Sequence, residues 1–470
     1  MNNQMHTESA LAPGARSNAS GSNAANAQNA AARYRGSEQA AKLLRRLFHH
    51  YPGCLNVRLW NGTALRLGSG AGIAADDPRF TLVFRTPDAV WSAVLGRDPL
   101  ALADAYFRGD LDIEGDFFAA LSLKDHLEVL KLTAAEKLQA VFTALHLRML
   151  NAAFRHSHAL FAPSHAPRIK AHSKAENRDA IHFHYDVSNE FYSLWLDRAM
   201  VYSCAYFESA DKSLDDAQQA KLEHICRKLS LKAGEEFLDI GCGWGALVIY
   251  AARHYGVRAR GVTLSPQQLK VARERIAQAG LSDRVSVDLM DYRDLPAEPL
   301  YDKIASVGMF EHVGLKNLPV YFSTVNRLLK PRGLFLNHGI THEAEGWERS
   351  VSTEFINRYV FPDGQLDTIA NIQRVMERSK FEIADVEALR PHYAMTLRHW
   401  VARLEANRER ALEHVNEATY RVWRLYMAAC ALQFESGEIG IYQVLANKRT
   451  ISVPDLPLTR RHLYCEEPVL

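Results

Sequence analysis

Strand-like and helix-like segments alternate regularly from about residue 232, and this pattern constrains the fold more than any other feature of the chain. The segment EEFLDIGCGWGALVIYAARHYG predicts a strand, a glycine turn and a helix that ends at Gly256. The segment RARGVTLSPQQLKVARERIAQAG repeats this order, with Ser265 as the helix N-cap, Pro266 as its first residue and Gly280 at its C-terminal end. Further strands are predicted at RVSVDLM, KIASVGM and GLFLNHG, with a helix over LPVYFSTVNRLLK. This alternation predicts an α/β fold with a mostly parallel sheet and helices on both faces.

A glycine-rich loop, Asp239-x-Gly241-x-Gly243-x-Gly245, follows the first predicted strand. Glycines at a strand end let a ligand approach the backbone closely. The spacing differs from the G-x-G-x-x-G fingerprint that places a pyrophosphate against a helix, and an acid precedes the glycines. A carboxylate suits a cationic ligand, so S-adenosylmethionine, with its sulfonium and ammonium groups, fits this loop. A plain tight turn between strand and helix is the alternative.

Polar residues also follow the second and third predicted strands. The second strand is followed by TLSPQQ, in which Thr263 and Gln268 offer neutral hydrogen bonds where an acid commonly binds a ribose. The third is followed by Asp291 and Tyr292, a carboxylate and a ring that could hold an adenine. We therefore predict all four as cofactor-binding residues, with core packing as the alternative for Tyr292.

The chain has 470 residues, too many for one ordinary core, which predicts two domains and a tail. Residues 1–33 are rich in Ala, Asn, Ser and Gly and lack the apolar core of a signal peptide, so we predict a disordered tail. The parts predicted to follow are a smaller α+β N-terminal domain over 34–150, a connecting helix and linker over 151–175, and the domain with the alternating segments over 176–460.

The N-terminal domain shows no catalytic cluster, which favours a binding or regulatory role. Within it, RLWNGTALRLG predicts two strands around a turn at Asn61-Gly62, and FTLVFRT predicts a third strand. A helix is predicted to end at Gly109, before an exposed acidic hairpin. Apolar residues at helical spacing over 134–155 predict the connecting helix.

Composition excludes several classes of protein. The formal net charge of +2 argues against a nucleic-acid binder. Six scattered cysteines without a CxxC pair indicate free thiols in a reducing cytoplasm rather than disulfides or a zinc site. His182 and His184 alternate as metal ligands could, but further ligands at suitable spacing are lacking, so no metal is predicted. No apolar run approaches the roughly 20 residues of a membrane span, so any membrane contact is expected at the surface.

An ordered set of motifs resembles the cyclopropane-fatty-acyl-phospholipid synthases and the related mycolic acid cyclopropane synthases. The motifs are HYDVSNEFYSLWLD, YSCAYF, LDIGCGWG, GVTLSPQQ, FEHVG and IYQVLANK. The resemblance covers about 170 to 450, and the segment 34–150 is similar to the extra N-terminal domain of the phospholipid enzymes. It implies a Rossmann-like class I methyltransferase that transfers a methylene from S-adenosylmethionine to a cis double bond of phospholipid acyl chains. Bound bicarbonate is the implied base that deprotonates the carbocation.

The resemblance also implies which groups hold bicarbonate. These are Cys204, Glu311, His338, the backbone of Ile340, and Tyr393. A small buried hydrophobe is the alternative for Cys204. In the same motif, Tyr202 and Ser203 are expected to close over the cofactor. Cys430 matches a cysteine sometimes treated as an active-site residue of the family, and we expect it near the acyl channel and non-nucleophilic.

The resemblance further implies a cytoplasmic enzyme at the inner face of the membrane, a homodimer, with the N-terminal domain serving lipid binding or dimerisation. The basic linker residues Arg168, Lys170, Lys174 and Arg178 could meet lipid phosphates or simply be solvated. The segment RYVFPDG, 358–364, is predicted to shape lipid access, with loop packing as the alternative. Two other functions stay open: a C-methyltransferase that leaves a methylene or methyl branch, and a non-catalytic lipid-binding module.

Overall fold

A computed structural model describes the chain over residues 36–69, 78–90, 100–124, 134–151, 173–176, 187–344, 351–361, 365–451 and 456–464. The chain divides into two units, Met1–His158 and Ala159–Leu470. The predicted tail and most of the predicted linker lie outside the described residues, and so do both alternating histidines, His182 and His184.

The first unit contains a four-stranded sheet in the order β2-β1-β3-β4. β1 and β2 are antiparallel around Asn61, whose side chain accepts a hydrogen bond from the Thr63 N–H at 3.1 Å, so the predicted turn is confirmed. β1 and β3 pair in parallel, and β3 and β4 are antiparallel. The strands are β1 Leu55–Arg58, β2 Ala64–Leu67, β3 Phe80–Phe84 and β4 Leu111–Gly115.

The predicted acidic hairpin after Gly109 is wrong, because this segment forms the single strand β4. Leu111 is buried in the core of the unit, and Ile113 packs against that core. The acidic residues between and beyond them pair with arginines: Asp112 Oδ2 lies 2.7 Å from Nη2 of Arg85, which follows β3, and Glu114 pairs with Arg58 at the end of β1. The alternation of apolar and acidic residues therefore reflects the two faces of one strand. Residues 36–47 of this unit are helical, and further helices in its described part are α1 Ala101–Phe107, α2 Phe117–Leu121 and α3 Ala134–Asn151.

The second unit contains a seven-stranded sheet in the order β10-β11-β9-β8-β5-β6-β7. The five strands from β5 to β9 run parallel to one another, while β11 pairs antiparallel with β9, and β10 pairs antiparallel with β11 at the edge. The predicted mostly parallel sheet is therefore confirmed. The strands are β5 Glu236–Ile240, β6 Arg258–Thr263, β7 Val285–Leu289, β8 Tyr301–Val307, β9 Leu329–His342, β10 Phe381–Ala388 and β11 Ile439–Lys448.

The predicted helix ends are also confirmed. The Ser265 hydroxyl accepts the Gln268 N–H at 3.3 Å ahead of Pro266, and Gly256 takes a left-handed conformation at the end of α6. None of the helices in the described ranges is long and apolar enough to span a membrane. The helices of this unit are α4 Asn189–Ser193, α5 Leu214–Lys228, α6 Ala246–Tyr255, α7 Pro266–Gln278, α8 Leu318–Leu328, α9 Val351–Tyr359, α10 Ile369–Arg378, α11 Arg390–Ala406, α12 Arg408–His414, α13 Glu417–Ser436 and α14 Arg461–Tyr464.

The topology determines where a ligand can bind. β5 lies between β6, which follows it in the chain, and β8, which comes later, so the strand order reverses at β5. Open α/β sheets bind ligands beyond the carboxyl ends of the strands at such a switch point. The glycine loop after β5 and the turn at Gly308 after β8 meet at this place.

Candidate active site

Two adjoining cavities lie beyond the carboxyl ends of the parallel strands. They share Tyr202, Ser203, Gly308 and His312 as lining residues. The first cavity is surrounded by the ends of β5, β6, β7 and β8, and the second extends towards α9, α11 and α13. A ligand in one cavity therefore borders a ligand in the other.

Nine of the ten predicted cofactor-binding residues line the first cavity. They are Tyr202, Ser203, Asp239, Gly241, Gly243, Thr263, Gln268, Asp291 and Tyr292. The exception is Gly245, where an added Cβ would lie 3.3 Å from Ala272 Cβ on α7. The structure therefore places Gly245 at a helix contact instead of the cavity wall.

The other two glycines of the loop differ in what surrounds them. An added Cβ at Gly241 would lie 2.8 Å from the Met309 side chain, so this glycine permits close packing. Gly243 has a φ of +54°, and an added Cβ would meet nothing within 4 Å. Since Gly243 lines the first cavity, a side chain there would project into the space available to a ligand.

Asp239 places a buried carboxyl group at the base of the loop. Its Oδ1 has no hydrogen-bond partner among the described residues. Burial raises the pKa of Asp239 to about 7, although the nearby Lys221 ammonium favours the ionised form. Buried polar atoms normally have partners, so this oxygen indicates a place for a ligand donor such as the ammonium of S-adenosylmethionine.

The residues after β6 and β7 are held in place by local hydrogen bonds. The Thr263 hydroxyl donates to Gln268 Oε1 at 2.8 Å. Arg293 donates to both Asp291 oxygens, at 2.8 and 2.6 Å, and these bonds outweigh burial and hold the pKa of Asp291 below its ordinary value. The Tyr292 ring lines the cavity and also packs edge-on against Tyr321 at 5.3 Å, so it takes part in the core as well.

Sequence reasoning missed Lys221, a lysine of α5 that lines the first cavity and is only 2% exposed. Its ammonium donates to the Ser203 hydroxyl at 2.9 Å. On the same helix, Gln218 donates to the Val201 and Ser203 carbonyls at 3.2 and 2.9 Å. The clue in the sequence is their spacing, because Gln218 and Lys221 share the helix face of the buried Ile225.

All six predicted catalytic residues line the second cavity. They are Cys204, Glu311, His338, Ile340, Tyr393 and Cys430. The centres of water molecules can occupy about 250 Å³ of this cavity. Much of its remaining wall is apolar, with Ile356, Leu366, Leu397, Phe434 and Ile441 among the side chains. The sequence motifs, although far apart in the chain, are thus brought together at one site.

Glu311 lies in a short 3-10 turn after β8 and reaches β9. The Ile340 N–H donates to Glu311 Oε1 at 2.8 Å, while Oε2 is buried without a hydrogen-bond partner among the described residues. Burial raises the pKa of Glu311, and the Ile340 hydrogen bond offsets part of this shift. The Ile340 N–H that the resemblance assigns to an anion is therefore already engaged by Glu311.

His338 is a buried, neutral imidazole on β9. Its Nδ1 lies 3.3 Å from Gln443 Nε2 on β11, and its Nε2 has no hydrogen-bond partner in the described part of the chain. Burial, with the positive charges of Lys221 and Lys228, holds the pKa of His338 well below its ordinary value. A neutral imidazole can donate one hydrogen bond to a ligand or accept one.

Cys204, Tyr393 and Cys430 are neutral for the same reason. Burial raises the pKa of Cys204 and Tyr393 well above their ordinary values and that of Cys430 to about 12. The Tyr393 hydroxyl can therefore act as a hydrogen-bond donor, and both thiols stay protonated at neutral pH. A protonated thiol is a poor nucleophile, and the non-nucleophilic role of Cys430 stays a prediction.

Aromatic side chains complete the site. Tyr202, which lines both cavities, lies 5.5 Å from Trp195, 5.3 Å from Trp400 and 6.2 Å from Trp423, measured between ring centroids. Phe361 of the predicted lipid-access segment lines the second cavity, while residues 362–364 lie outside the described residues.

Comparison with known proteins identifies relatives of this chain. The family model for mycolic acid cyclopropane synthetase matches residues 172–444. A probable fatty acid methyltransferase of Pseudomonas putida is 40% identical over 88% of this chain and 97% of its own. The cyclopropane-fatty-acyl-phospholipid synthase of Escherichia coli K12 is 43% identical over 56% of this chain and 66% of its own.

A solved structure is similar to this chain in fold. Mycolic acid cyclopropane synthase CmaA1, crystallised in complex with SAH and CTAB, is 34% identical and aligns with a TM-score of 0.55. The alignment covers 58% of this chain and 98% of that chain. The predicted class I methyltransferase fold is thereby confirmed.

Proposed function

The chain belongs to the mycolic acid cyclopropane synthetase family of S-adenosylmethionine-dependent methyltransferases, and we propose that it converts unsaturated phospholipid acyl chains into cyclopropane fatty acids. The observation that carries this proposal is the adjacency of the two cavities. The first cavity fits S-adenosylmethionine, because its wall contains the buried Asp239 Oδ1 and also Gly243, which leaves open space for a ligand. The second offers an apolar wall for an acyl chain beside a cluster of buried polar groups.

The reaction makes specific demands on the second cavity. S-adenosylmethionine supplies an electrophilic methyl group, which the cis double bond takes up as S-adenosylhomocysteine leaves. The cationic acyl chain then loses a proton from the new methyl carbon as the ring closes. The rings of Tyr202, Phe361 and Phe434, which line the second cavity, suit a developing cation. The apolar wall excludes water that would otherwise capture the cation.

Bicarbonate is the proposed proton acceptor. Glu311 Oε2 and His338 Nε2 are buried without hydrogen-bond partners among the described residues, which favours a small polar ligand between them. Bicarbonate has one O–H donor and several acceptor oxygens. Glu311 can accept its hydroxyl proton, while His338 and Tyr393 can donate to its oxygens. With both side chains neutral, these donors add no fixed positive charge beside the cationic chain.

The protein is proposed to be a cytoplasmic homodimer that reaches its substrate at the inner face of the membrane. A phospholipid acyl chain fits the apolar wall of the second cavity, and Phe361 places an aromatic ring at that wall. Lys174, one of the basic residues expected to meet lipid phosphates, pairs instead with Asp294. Membrane contact is therefore assigned to the first unit more than to this lysine.

A C-methyltransferase is the second candidate. The Pseudomonas putida relative, a probable fatty acid methyltransferase, matches 88% of this chain. In that case the same cation would lose its proton to leave a methylene group, which a reductase could convert to a methyl branch.

One assay tests both candidates. Full-length protein is incubated with methyl-labelled S-adenosylmethionine and vesicles of a cis-unsaturated phospholipid, and the fatty esters are analysed by mass before and after ozonolysis. A labelled ester one CH2 heavier that resists ozone supports the cyclopropane synthase, and an ester of equal mass that ozone cleaves supports the methylene product. Stripping bicarbonate from the buffer should lower turnover and adding it back should restore it. Turnover that is independent of the bicarbonate concentration would refute bicarbonate as the base.

A further inference from the structure

Lys221 is a buried cation for which the chemistry derived above has no use. It lies on α5, lines the first cavity, and is 2% exposed. Enclosing a lysine in this way is costly unless its charge and its donors find partners. Its function is therefore to be sought inside the cavity.

The hydrogen bonds of Lys221 are incomplete. An ammonium has three N–H donors, and in the described part of the chain the Ser203 hydroxyl, at 2.9 Å, is the one acceptor of Lys221. Asp197, a neighbouring carboxylate, is occupied by the Ala199 and Val201 N–H groups at 2.8 and 2.7 Å. Donors of the ammonium thus remain for a ligand of the cavity.

The charges of the cavity wall match one part of the cofactor. The amino-acid moiety of S-adenosylmethionine carries an ammonium and a carboxylate. The wall carries the Asp239 carboxylate, with its buried oxygen, and the Lys221 ammonium. The wall therefore offers a group of opposite charge to each charged group of the amino-acid moiety.

We propose that the Lys221 ammonium binds the carboxylate of the amino-acid moiety of S-adenosylmethionine, next to Ser203. Asp239 is then left to receive the ammonium of the same moiety. The inference rests on the cofactor of the family and not on the lipid product, so it can fail while the proposed function stands.

The test compares two ligands that differ only in the carboxylate. Binding of S-adenosylmethionine and of decarboxylated S-adenosylmethionine is measured by calorimetry for the wild type, Lys221→Gln and Lys228→Gln. Lys228 is the matched control, because it is a buried lysine of the same helix that pairs with Glu387 and does not line the first cavity. Circular dichroism and thermal unfolding verify that each variant is folded.

The expected result is selective. Lys221→Gln should weaken S-adenosylmethionine binding by about 10- to 100-fold, the usual worth of a hydrogen bond to a charged group. Binding of the decarboxylated ligand should change by less than about threefold, and Lys228→Gln should bind both ligands as the wild type does. Equal weakening of both ligands by Lys221→Gln would show a purely structural role and overturn the proposal, as would unchanged binding of S-adenosylmethionine.

A second measurement needs no variant. A crystal structure of the wild type with S-adenosylhomocysteine should place Lys221 Nζ about 2.7–2.9 Å from a carboxylate oxygen of the ligand. A separation beyond about 4 Å would overturn the assignment even if Lys221→Gln fails to fold.

Discussion

At the scale of single residues, the glycines of the loop after β5 serve different purposes. Gly241 allows Met309 to pack closely and Gly245 allows α7 to approach, whereas Gly243 faces open space in the first cavity. Substitutions at Gly243 therefore act on the ligand more directly than substitutions at the other two.

Gly243→Val should abolish S-adenosylmethionine binding while the protein stays folded. The branched side chain would fill part of the cavity, and a β-branched residue at a φ of +54° adds backbone strain. Calorimetry measures the affinity. Gly280→Val is the matched control, because Gly280 has a φ of +68° and open space but lies at the exposed end of α7. Near-normal affinity in a folded Gly243→Val protein would remove the loop from the cofactor site.

Glu311→Gln should retain cofactor binding and lose about 10²- to 10⁴-fold in turnover. An amide cannot accept the bicarbonate proton, although it can still receive the Ile340 N–H. The control is Glu438→Gln, which changes another acid of the second cavity and should leave more activity. Vesicle turnover and calorimetry are compared for the two variants. Activity of Glu311→Gln within a few-fold of the wild type would contradict its assignment.

The sequence identified the site residues that carry a recognisable motif and missed the one that does not. Glu311 lies in the FEHVG motif, His338 in LNHGI and Tyr393 in PHYAMTL, and the family resemblance assigns all three to one site, so their meeting in one cavity could be expected before the fold was known. Lys221 could not be singled out in the same way, because a lysine in an amphipathic helix is ordinarily solvated. Its burial depends on a contact with Ser203, which belongs to a separate loop.

At the scale of elements, α5 and β10 are joined by a charged cluster beside the sheet. Glu387 on β10 contacts His224 Nε2 at 2.7 Å and Lys228 Nζ at 2.5 Å, both on α5. Burial alone would raise the pKa of Glu387, but these partners lower it from 4.5 to about 2. The depressed pKa means that the ionised carboxylate stabilises the folded protein.

Glu387→Gln should lower the free energy of unfolding at pH 7 by about 2–4 kcal/mol, since it removes the nearer of the two carboxylates that pair with the buried Lys228 ammonium, the other being Asp385 at 3.5 Å. The difference in free energy of unfolding between the wild type and Glu387→Gln is fully present above pH 4.5. It is lost as the pH falls towards about 2, where the carboxylate of the folded protein becomes protonated. Urea unfolding at pH 7 and pH 3 measures the free energy of unfolding of both proteins. Glu382→Gln, an exposed position of the same strand, should cost about 0.5 kcal/mol or less. A difference between Glu387→Gln and the wild type that is independent of pH would refute the linkage.

Local patterns predicted some elements and not others. The strands β5 to β9 and the helices between them follow from apolar periodicity, glycine turns and the N-cap Ser265. The antiparallel strands β10 and β11 were not predicted as strands. They pair with each other although the three helices α11, α12 and α13 lie between them in the chain, so no local pattern links them. The acidic hairpin failed for a related reason, since β4 finds its partner β3 across a helix.

At the scale of the whole molecule, the second unit contains all the residues assigned to catalysis and cofactor binding. The family model for mycolic acid cyclopropane synthetase matches residues 172–444, all of which lie in this unit. The match to the Pseudomonas putida relative extends over 88% of this chain, so the first unit has counterparts in longer relatives. None of the described residues of the first unit lines either cavity, and a binding role for this unit stays a prediction.

A truncated chain that begins near residue 165 retains every described residue of the second unit, so it should still bind S-adenosylmethionine with nearly unchanged affinity. Turnover on vesicles should fall sharply, because an enzyme that acts from the membrane surface must remain at the interface to reach buried acyl chains. Linker cations would supply only about 1 kcal/mol each against anionic lipid, weakened further by salt. Lys174, moreover, is paired with Asp294.

Vesicle co-sedimentation, turnover and sedimentation velocity, at low and high salt, distinguish the two ways in which the first unit could act. Loss of vesicle binding by a truncated chain of unchanged oligomeric state would assign lipid contact to the first unit. Loss of a dimer together with turnover would assign assembly to it. Turnover is compared at matched cofactor saturation, so that any difference in cofactor affinity is removed. Equal turnover of the full-length and truncated chains on vesicles would contradict both assignments, because the second unit alone would then suffice to reach the lipid.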